Sequence, residues 1–305
     1  AGDGGTADGG AGDGGTADGI RLTLADGTTE EGEPVCTYDH RLWWDASDQT
    51  TTALFVPDAY ATWPDGRSMR FVSDRDTVAT EAIPLPADRP RYTDFLRDHG
   101  ITIDGNPLDI DGPAWVIMGN EGYHLEEDGY GDHAWDLVRT DDRGARYTGF
   151  GSRNEDYLVW GAPVVLPTGG TVVEVVRNAP DNEPGSYPDD AVNNLVGIWL
   201  GGHYYLYLLH FQQGSIPASV RVGAELPAGA FVGRVGNAGV SLEPHLHMTL
   251  MYYDMDPAGE SGTVRTWSIP GEWRGTWSAD TPTGPATRHD WWVPTTGQWV
   301  DDTKF

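Results

Sequence analysis

The most constraining feature of the sequence is the stretch 236–250, which reads G-N-A-G-V-S-L-E-P-H-L-H-M-T-L. It places His245 and His247 in an apolar run, and residues two apart on a β-strand point to the same face. A His-x-His strand therefore presents two imidazoles side by side, a common way to hold or flank a transition metal. Two histidines on a polar sheet face would give the same pattern, so the rest of the chain has to distinguish the two interpretations.

Composition favours a mainly β fold built from antiparallel strands. The 305 residues include 41 Gly, 21 Pro, 13 Trp and 13 Tyr, and long helical patterns of Ala, Leu, Glu and Lys are missing. Such a chain is typical of many short strands joined by turns, and it is long enough to bury a sizeable core. A single short helix is predicted at residues 93–99, with Thr93 as its N-cap.

Three segments are predicted along the chain. Residues 1–19 repeat a ten-residue unit rich in Gly and Asp, which cannot bury apolar surface and is expected to be a flexible acidic linker. Residues 20–104 form a β-rich N-terminal extension or small domain. Residues 105–305 form the main β domain, in which the polar segment 178–194 is predicted to be a surface loop. A linker of this kind is typical of a secreted or surface-tethered protein.

Charge and motifs exclude several classes of function. The net charge is -28, with 47 Asp and Glu against 19 Lys and Arg, so the surface repels phosphate backbones and anionic lipid headgroups. No apolar run approaches the ~20 residues of a membrane span.

Cys36 is the only cysteine, which excludes an intrachain disulfide and a cysteine-based zinc knuckle. We expect it to be a buried small hydrophobe. The serine nucleophile elbow, the P-loop and the dinucleotide-binding glycine pattern are absent.

A metal site without cysteine needs histidine and carboxylate ligands, and a catalytic zinc needs three of them plus an open position. The upstream candidates are His124, His133, Asp136, His203 and His210. Asp136 is a lone carboxylate in the apolar segment 134–138, where it is either a satisfied structural group or a ligand. His133 lies three residues earlier, so a regular strand would put it on the opposite face from Asp136.

The remaining histidines differ in their surroundings. His124 lies in a loop rich in Gly and Asp that can fold back to the end of the Asp136 strand, so we favour it over His133 as the partner of Asp136. His210 closes the hydrophobic segment 204–209 with a polar tip, a common location for a site. His203 follows Gly201-Gly202 in an apparent turn and is expected to be exposed.

Taken in order, these blocks resemble the lysostaphin-type, LytM-like zinc metalloendopeptidases that cut peptidoglycan cross-bridges or stem peptides. The resemblance spans residues 110–255 and is carried most specifically by the G-N-x-G-x-S-x-x-P-H-L-H block ending at His247. The family usually has His-x-x-x-Asp, whereas this chain has His133-x-x-Asp136 and an earlier loop histidine, His124. It is similar in this to family branches that replace the close pair with such a loop histidine.

The resemblance implies a complete site and its chemistry. The fold would be the antiparallel β-roll sandwich of the LytM-like (duplicated hybrid motif) type, with long loops. His124, Asp136 and His247 would hold Zn²⁺, and His210 and His245 would be the catalytic residues beside the open position. The protein would hydrolyse peptide bonds of peptidoglycan through a zinc-activated water, as a secreted, cell-surface or periplasmic monomer.

Two other functions are compatible with the sequence. One is a catalytically inactive LytM-like fold that binds the cell wall or regulates an amidase partner, an alternative suggested by the irregular first-ligand block. The other is a carbohydrate-binding or other non-enzymatic β protein, suggested by the 13 tryptophans.

Overall fold

The computed structural model describes residues 18–40, 50–57, 68–119, 129–255 and 264–303. In these ranges most of the regular secondary structure is β-strand, and a short 3-10 turn lies at Asn154–Asp156. The N-terminal elements are β1 (Gly19–Leu24), β2 (Thr29–Asp39), β3 (Thr50–Phe55), β4 (Met69–Ser73), β5 (Thr77–Ile83), α1 (Tyr92–Asp98) and β6 (Ile103–Asp104). The next are β7 (Ala114–Gly119), β8 (Trp135–Arg139), β9 (Pro163–Val165), β10 (Gly170–Val176), β11 (Leu195–Gly201) and β12 (Tyr204–Leu209). The last are β13 (Glu225–Leu226), β14 (Phe231–Arg234), β15 (Leu246–Met255), β16 (Val264–Ser268), β17 (Trp273–Arg274), β18 (Trp277–Ala279), β19 (Thr287–Arg288), β20 (Trp291–Trp292) and β21 (Trp299–Asp301).

These strands form two principal sheets. The N-terminal sheet has the order β4-β3-β2-β1-β5, and the large sheet has the order β13-β10-β11-β12-β15-β8-β7-β21-β18-β19, with β16 paired to β15. Smaller sheets pair β14 with β9 and β20 with β17 and β6. Every pairing is antiparallel except that of β17 with β6. The predicted fold class, mainly antiparallel β with long loops, is confirmed.

The large sheet has two distinct faces because side chains alternate along β15. Its core face carries Leu246 and Met248, which pack in the main core, and Leu250 and Tyr252, which pack against the N-terminal sheet and α1. The opposite face, which we call the site face, carries His247 at the start of the same strand. The cross-strand partners of His247 are Asp136 and Leu209.

Residues 20–104 are joined to the large sheet by a shared core and by specific hydrogen bonds. Tyr38 donates from its hydroxyl to the backbone carbonyl of Ser268 at 2.6 Å. The hydroxyls of Ser68 and Tyr204 are 2.7 Å apart. The N-terminal sheet therefore covers the core face of the large sheet and leaves the site face open, while the assignment of separate domains stays a prediction.

Helix α1 begins one residue earlier than predicted, at Tyr92, and no side chain caps it from the N-cap position, Arg91. The prediction of a Thr93 cap was wrong because a carboxylate from another strand takes that role. Glu33 of β2 accepts a hydrogen bond from the Tyr92 backbone N–H at 2.9 Å. A tertiary contact thus satisfies a backbone donor that local sequence would leave to a cap.

The acidic linker ends slightly earlier than predicted. Gly19 already lies in β1, and Asp18 pairs with Arg91 and accepts a hydrogen bond from the Leu85 backbone N–H at 2.8 Å. The prediction of flexibility over residues 1–17 concerns residues outside those described.

Cys36 is half-buried rather than fully buried as the sequence suggested. Burial raises the pKa of its thiol to about 12, so the reactive thiolate is strongly disfavoured at neutral pH. None of the helices among the described residues is long and apolar enough to cross a membrane.

Candidate metal centre

The pairing of β15 with β8 sets Asp136 directly opposite His247. Opposed residues of antiparallel strands point to the same face, and here the Asp136 Oδ1 atom lies 3.0 Å from His247 Nδ1. The neighbouring residues Leu137 and Leu246 are fully buried in the main core on the other face. The apolar neighbours of Asp136 and His247 therefore hold both strands in the core. Because side chains alternate along a strand, the carboxylate and the imidazole lie side by side on the opposite face.

His245 lies just before β15, in the turn that leads into it. Its Nδ1 atom is 2.8 Å from the Glu243 carbonyl oxygen, and because a carbonyl can only accept, Nδ1 carries the proton. The other ring nitrogen, Nε2, lies 3.4 Å from Asp136 Oδ1. The first histidine of the motif thus turns its Nε2 atom towards the same carboxylate.

His210 follows the last residue of β12 and adopts a left-handed backbone with φ of 64°. A positive φ is uncommon and costly for a residue with a side chain, and it persists only where the surrounding structure holds it. The His210 carbonyl accepts from the Gly236 N–H at 2.9 Å, and its Nδ1 atom donates to the Ala238 carbonyl at 2.8 Å. These contacts bring the His210 ring to 4.6 Å from that of His245, measured between centroids.

Burial and charge perturb two of these histidines in opposite directions. Burial disfavours the imidazolium of His245, but the adjacent Asp136 carboxylate outweighs that cost and raises the pKa of His245 to about 9. Burial lowers the pKa of His210 well below its usual value, and the neighbouring His245 and His247 lower it further. A positive charge is therefore stabilised next to Asp136 and opposed at His210.

The donor set fits a zinc ion. One ligand atom from each of His210, His245 and His247 lies within 4.8 Å of the others, and Asp136 adds a carboxylate oxygen beside two of them. All four side chains are at least nine-tenths buried, and they line one cavity of about 330 Å³. Imidazole and carboxylate donors converging in a cavity are the ligands that zinc takes in catalytic sites.

Of the other candidates predicted from the sequence, those that the structure describes do not join this group. His124 lies outside the described residues. His133 lies in the turn before β8, and its ring packs edge-on against Tyr38, with the ring centroids 5.9 Å apart. His203 is half-buried rather than exposed, because it stacks on Tyr252 and holds the Tyr253 carbonyl through Nδ1 at 2.8 Å.

Sequence reasoning missed the role of the loop between β10 and β11. Asn182 in this loop donates from Nδ2 to the carbonyls of Gly239 and Ser241 at 2.7 and 3.0 Å. The Gly185 N–H donates to the Leu242 carbonyl at 2.7 Å. The loop thus holds the turn 239–243, which leads into His245. The many Asn residues of segment 178–194 were the available signal, but their partners are backbone atoms that sequence does not reveal.

Gly239 shows how tightly this turn is held. Its φ is +95°, and a Cβ atom there would lie 1.8 Å from the Asn193 side-chain oxygen. Gly185 has a similar φ of +94° with nothing within 4 Å of its Cβ position. Gly185→Ala therefore measures only the free-energy cost of a positive φ in a residue with a Cβ atom. Gly239→Ala adds the cost of a steric clash with Asn193.

We expect Gly185→Ala to lower the free energy of unfolding by about 1–2 kcal/mol, the range for one residue held in a disfavoured conformation. Gly239→Ala is expected to cost about 1–3 kcal/mol more, as overpacking does. Urea unfolding, monitored by tryptophan fluorescence, measures the free energy of unfolding of both variants. Equal costs for the two variants would contradict the close approach of Asn193.

Comparison with known proteins gives one sequence match. Residues 156–258 match the family model described as Peptidase family M23, a range that includes His210, His245 and His247 and begins after Asp136. No curated protein matches the chain.

Several solved structures are similar. Lysostaphin, from Staphylococcus simulans, is 22% identical over 51% of this chain and 48% of its own, with a TM-score of 0.30. A zinc-containing peptidase from Vibrio cholerae is 14% identical over 76% of this chain and 51% of its own, with a TM-score of 0.30. The deep-sea metalloprotease pseudoalterin is 15% identical over 54% of this chain and 96% of its own, also at 0.30. The chain thus spans about half the length of the first two.

Proposed function

From the match of residues 156–258 to the model of Peptidase family M23, we propose that the protein is a zinc-dependent endopeptidase that hydrolyses peptide bonds of peptidoglycan. The resemblance to lysostaphin-type enzymes supports cell-wall cross-links or stem peptides as the substrate class. It also supports action outside the cell, as a secreted or cell-surface protein.

The observation that carries this proposal is the convergence of one carboxylate and three imidazoles in a single cavity. Asp136 and His247 come from adjacent strands, and His210 and His245 come from the turns at the strand ends. Hydrogen bonds to Ala238, Glu243 and Asp136 hold the three imidazoles, and all three line the same cavity. Four donors of this chemistry match what a hydrolytic metal site needs.

We assign the metal to Asp136, His247 and, by resemblance, His124. Zinc in such a site supplies Lewis-acid polarisation of the scissile carbonyl and a water whose pKa falls toward ~7. The Asp136 Oδ1 and His247 Nδ1 atoms lie 3.0 Å apart, close enough that both side chains could bind one ion.

His245 and His210 act on protons and on developing charge. The Nδ1–H of each ring is committed to a backbone carbonyl, Glu243 for His245 and Ala238 for His210. Each Nε2 atom is therefore left as the nitrogen that can accept a proton from the attacking water or, once protonated, donate a hydrogen bond to an oxyanion. The left-handed backbone of His210 and the turn at Glu243 fix both rings before substrate arrives.

The direct test is hydrolysis of purified peptidoglycan by the full chain. The zinc-loaded protein is expected to release new amino groups from the wall, and incubation with 1,10-phenanthroline is expected to reduce this release to background. Addition of zinc after removal of the chelator is expected to restore it. Release of new amino groups is followed with a fluorescent amine reagent and located by mass spectrometry of the fragments.

The same experiment distinguishes a peptidase from the alternative function, which is cell-wall binding without cleavage. If the zinc-loaded protein sediments with the wall but releases no amino groups, it is a wall-binding, inactive member of the fold. Release that is unaffected by chelation would contradict the metal mechanism.

A further inference from the structure

The cavity that holds the histidines has an apolar rim. Tyr187 is 41% exposed, Val240 45% and Leu242 55%, and all three line the cavity together with the half-buried Ile117 and Met118. Single exposed apolar residues are normal on a protein surface, but a group around one concave site marks a binding surface. This is conspicuous in a chain whose net charge is -28.

The rim is also held in place. The backbone of the turn that carries Val240 and Leu242 is engaged by the loop between β10 and β11: the Val240 N–H donates to Asn193 Oδ1 at 3.1 Å, and the Leu242 carbonyl accepts from Gly185 N–H at 2.7 Å. With their backbone groups satisfied, these residues present only their side chains to the cavity. A preorganised apolar surface binds with little entropic loss.

The charged groups at the cavity disfavour an anionic ligand. Its charged lining residues, apart from the histidines, are Asp136 and Glu243, and no lysine or arginine is among the lining residues that the structure describes. Glu243 is itself paired with Arg146. The positive charge that a bound zinc would bring lies with Asp136 and the histidines, so a carboxylate side chain held against Val240 and Leu242 would lose its hydration without a lysine or arginine to pair with.

Resting on the proposed function, we propose that this rim selects substrate: the protein prefers a peptide with an uncharged apolar side chain next to the scissile bond. Glycine would leave the rim in contact with water, and an acidic residue would find no lysine or arginine among the described lining residues. Leu242 and Val240 are specificity-determining residues on this view, and Tyr187 lines the same cavity.

The test uses quenched fluorescent peptides that are identical except for one residue beside the susceptible bond, which is glycine, leucine or glutamate. For the zinc-loaded full chain, kcat/KM for the leucine peptide is expected to exceed that for the glycine peptide by at least about tenfold, the scale that a hydrophobic pocket provides. The glutamate peptide is expected to be the poorest substrate.

The matched variants are Leu242→Ser and Val222→Ser. Val222 is 63% exposed and is not among the cavity-lining residues, so Val222→Ser controls for removing an exposed apolar side chain. Leu242→Ser is expected to lower the ratio of kcat/KM for the leucine peptide to kcat/KM for the glycine peptide by about tenfold, whereas Val222→Ser is expected to keep the wild-type ratio.

Fluorescence anisotropy measures the binding of the same peptides independently of their cleavage. It therefore distinguishes the proposed apolar subsite from the proposed peptidase function. Preferential binding of the leucine peptide, weakened in Leu242→Ser, would support the apolar subsite even if no peptide were cleaved, and absent cleavage would then overturn only the peptidase function. Cleavage that is fastest for the glycine or glutamate peptide would overturn the subsite and leave the peptidase function standing. Absence of both binding preference and cleavage would overturn both.

Discussion

Asp136→Asn is expected to abolish zinc retention and peptide hydrolysis together. Asparagine keeps the shape of the side chain and removes its charge, so the fold is preserved while the carboxylate donor is lost. Loss of an outer-shell partner costs 10–100-fold in metal affinity, and we expect loss of a ligand to cost at least about 100-fold. Metal content by inductively coupled plasma mass spectrometry and hydrolysis of a quenched peptide measure the two effects.

The matched control is His133→Phe, which keeps an aromatic ring where His133 packs against Tyr38. Burial already lowers the pKa of His133 to about 4, so this ring is neutral at pH 7 and a phenyl group replaces it without removing a charge. His133→Phe is expected to keep its zinc. Retention of zinc in Asp136→Asn together with its loss in His133→Phe would overturn the assignment of Asp136.

His210→Asn is expected to keep zinc and lose activity. Asparagine tolerates the left-handed conformation that His210 adopts, so the substitution tests the imidazole rather than the backbone. Loss of a general acid–base group typically costs about 10²–10⁴ in rate, and we expect kcat to fall by that factor. The variant is assayed for kcat and for bound metal on the same preparation.

His203→Asn is the control for the His210→Asn substitution. His203 lies at the opposite end of β12 from His210 and binds the Tyr253 carbonyl. Its activity is expected to stay within a few-fold of wild type. The three imidazoles of His210, His245 and His247 are close enough to bind a metal by themselves. Loss of zinc from His210→Asn to the same degree as from Asp136→Asn would therefore make His210 a ligand instead of a catalytic residue.

The β character of the fold could be anticipated from local patterns, whereas the grouping of Asp136 with the His-x-His strand was implied by the family resemblance. A polar residue inside an apolar strand points to the face opposite its buried neighbours, as Asp136 does beside Leu137. The expectation for His133 assumed a regular strand, but His133 lies in the turn before β8. Local periodicity therefore carries real information about which residues share a face.

The supporting contacts could not be anticipated because they join distant side chains to backbone atoms. Nothing local indicates that Glu33 binds the start of α1, or that Asn182 and Asn193 hold the turn before His245. The left-handed φ of His210 is similarly a product of its surroundings. Cap residues and strand periods are local properties, whereas these contacts exist only once the sheets have paired.

The donors that face each other are far apart along the chain. This separation determines when the site can assemble during synthesis. Asp136 and His247 are 111 residues apart, and Tyr38 meets Ser268 across 230 residues. A ribosome that has already released Asp136 and His210 has not yet made the strand that completes the group. Contacts of such long range also form slowly. The nascent chain therefore cannot assemble this group of donors until the strand that carries His247 has been made.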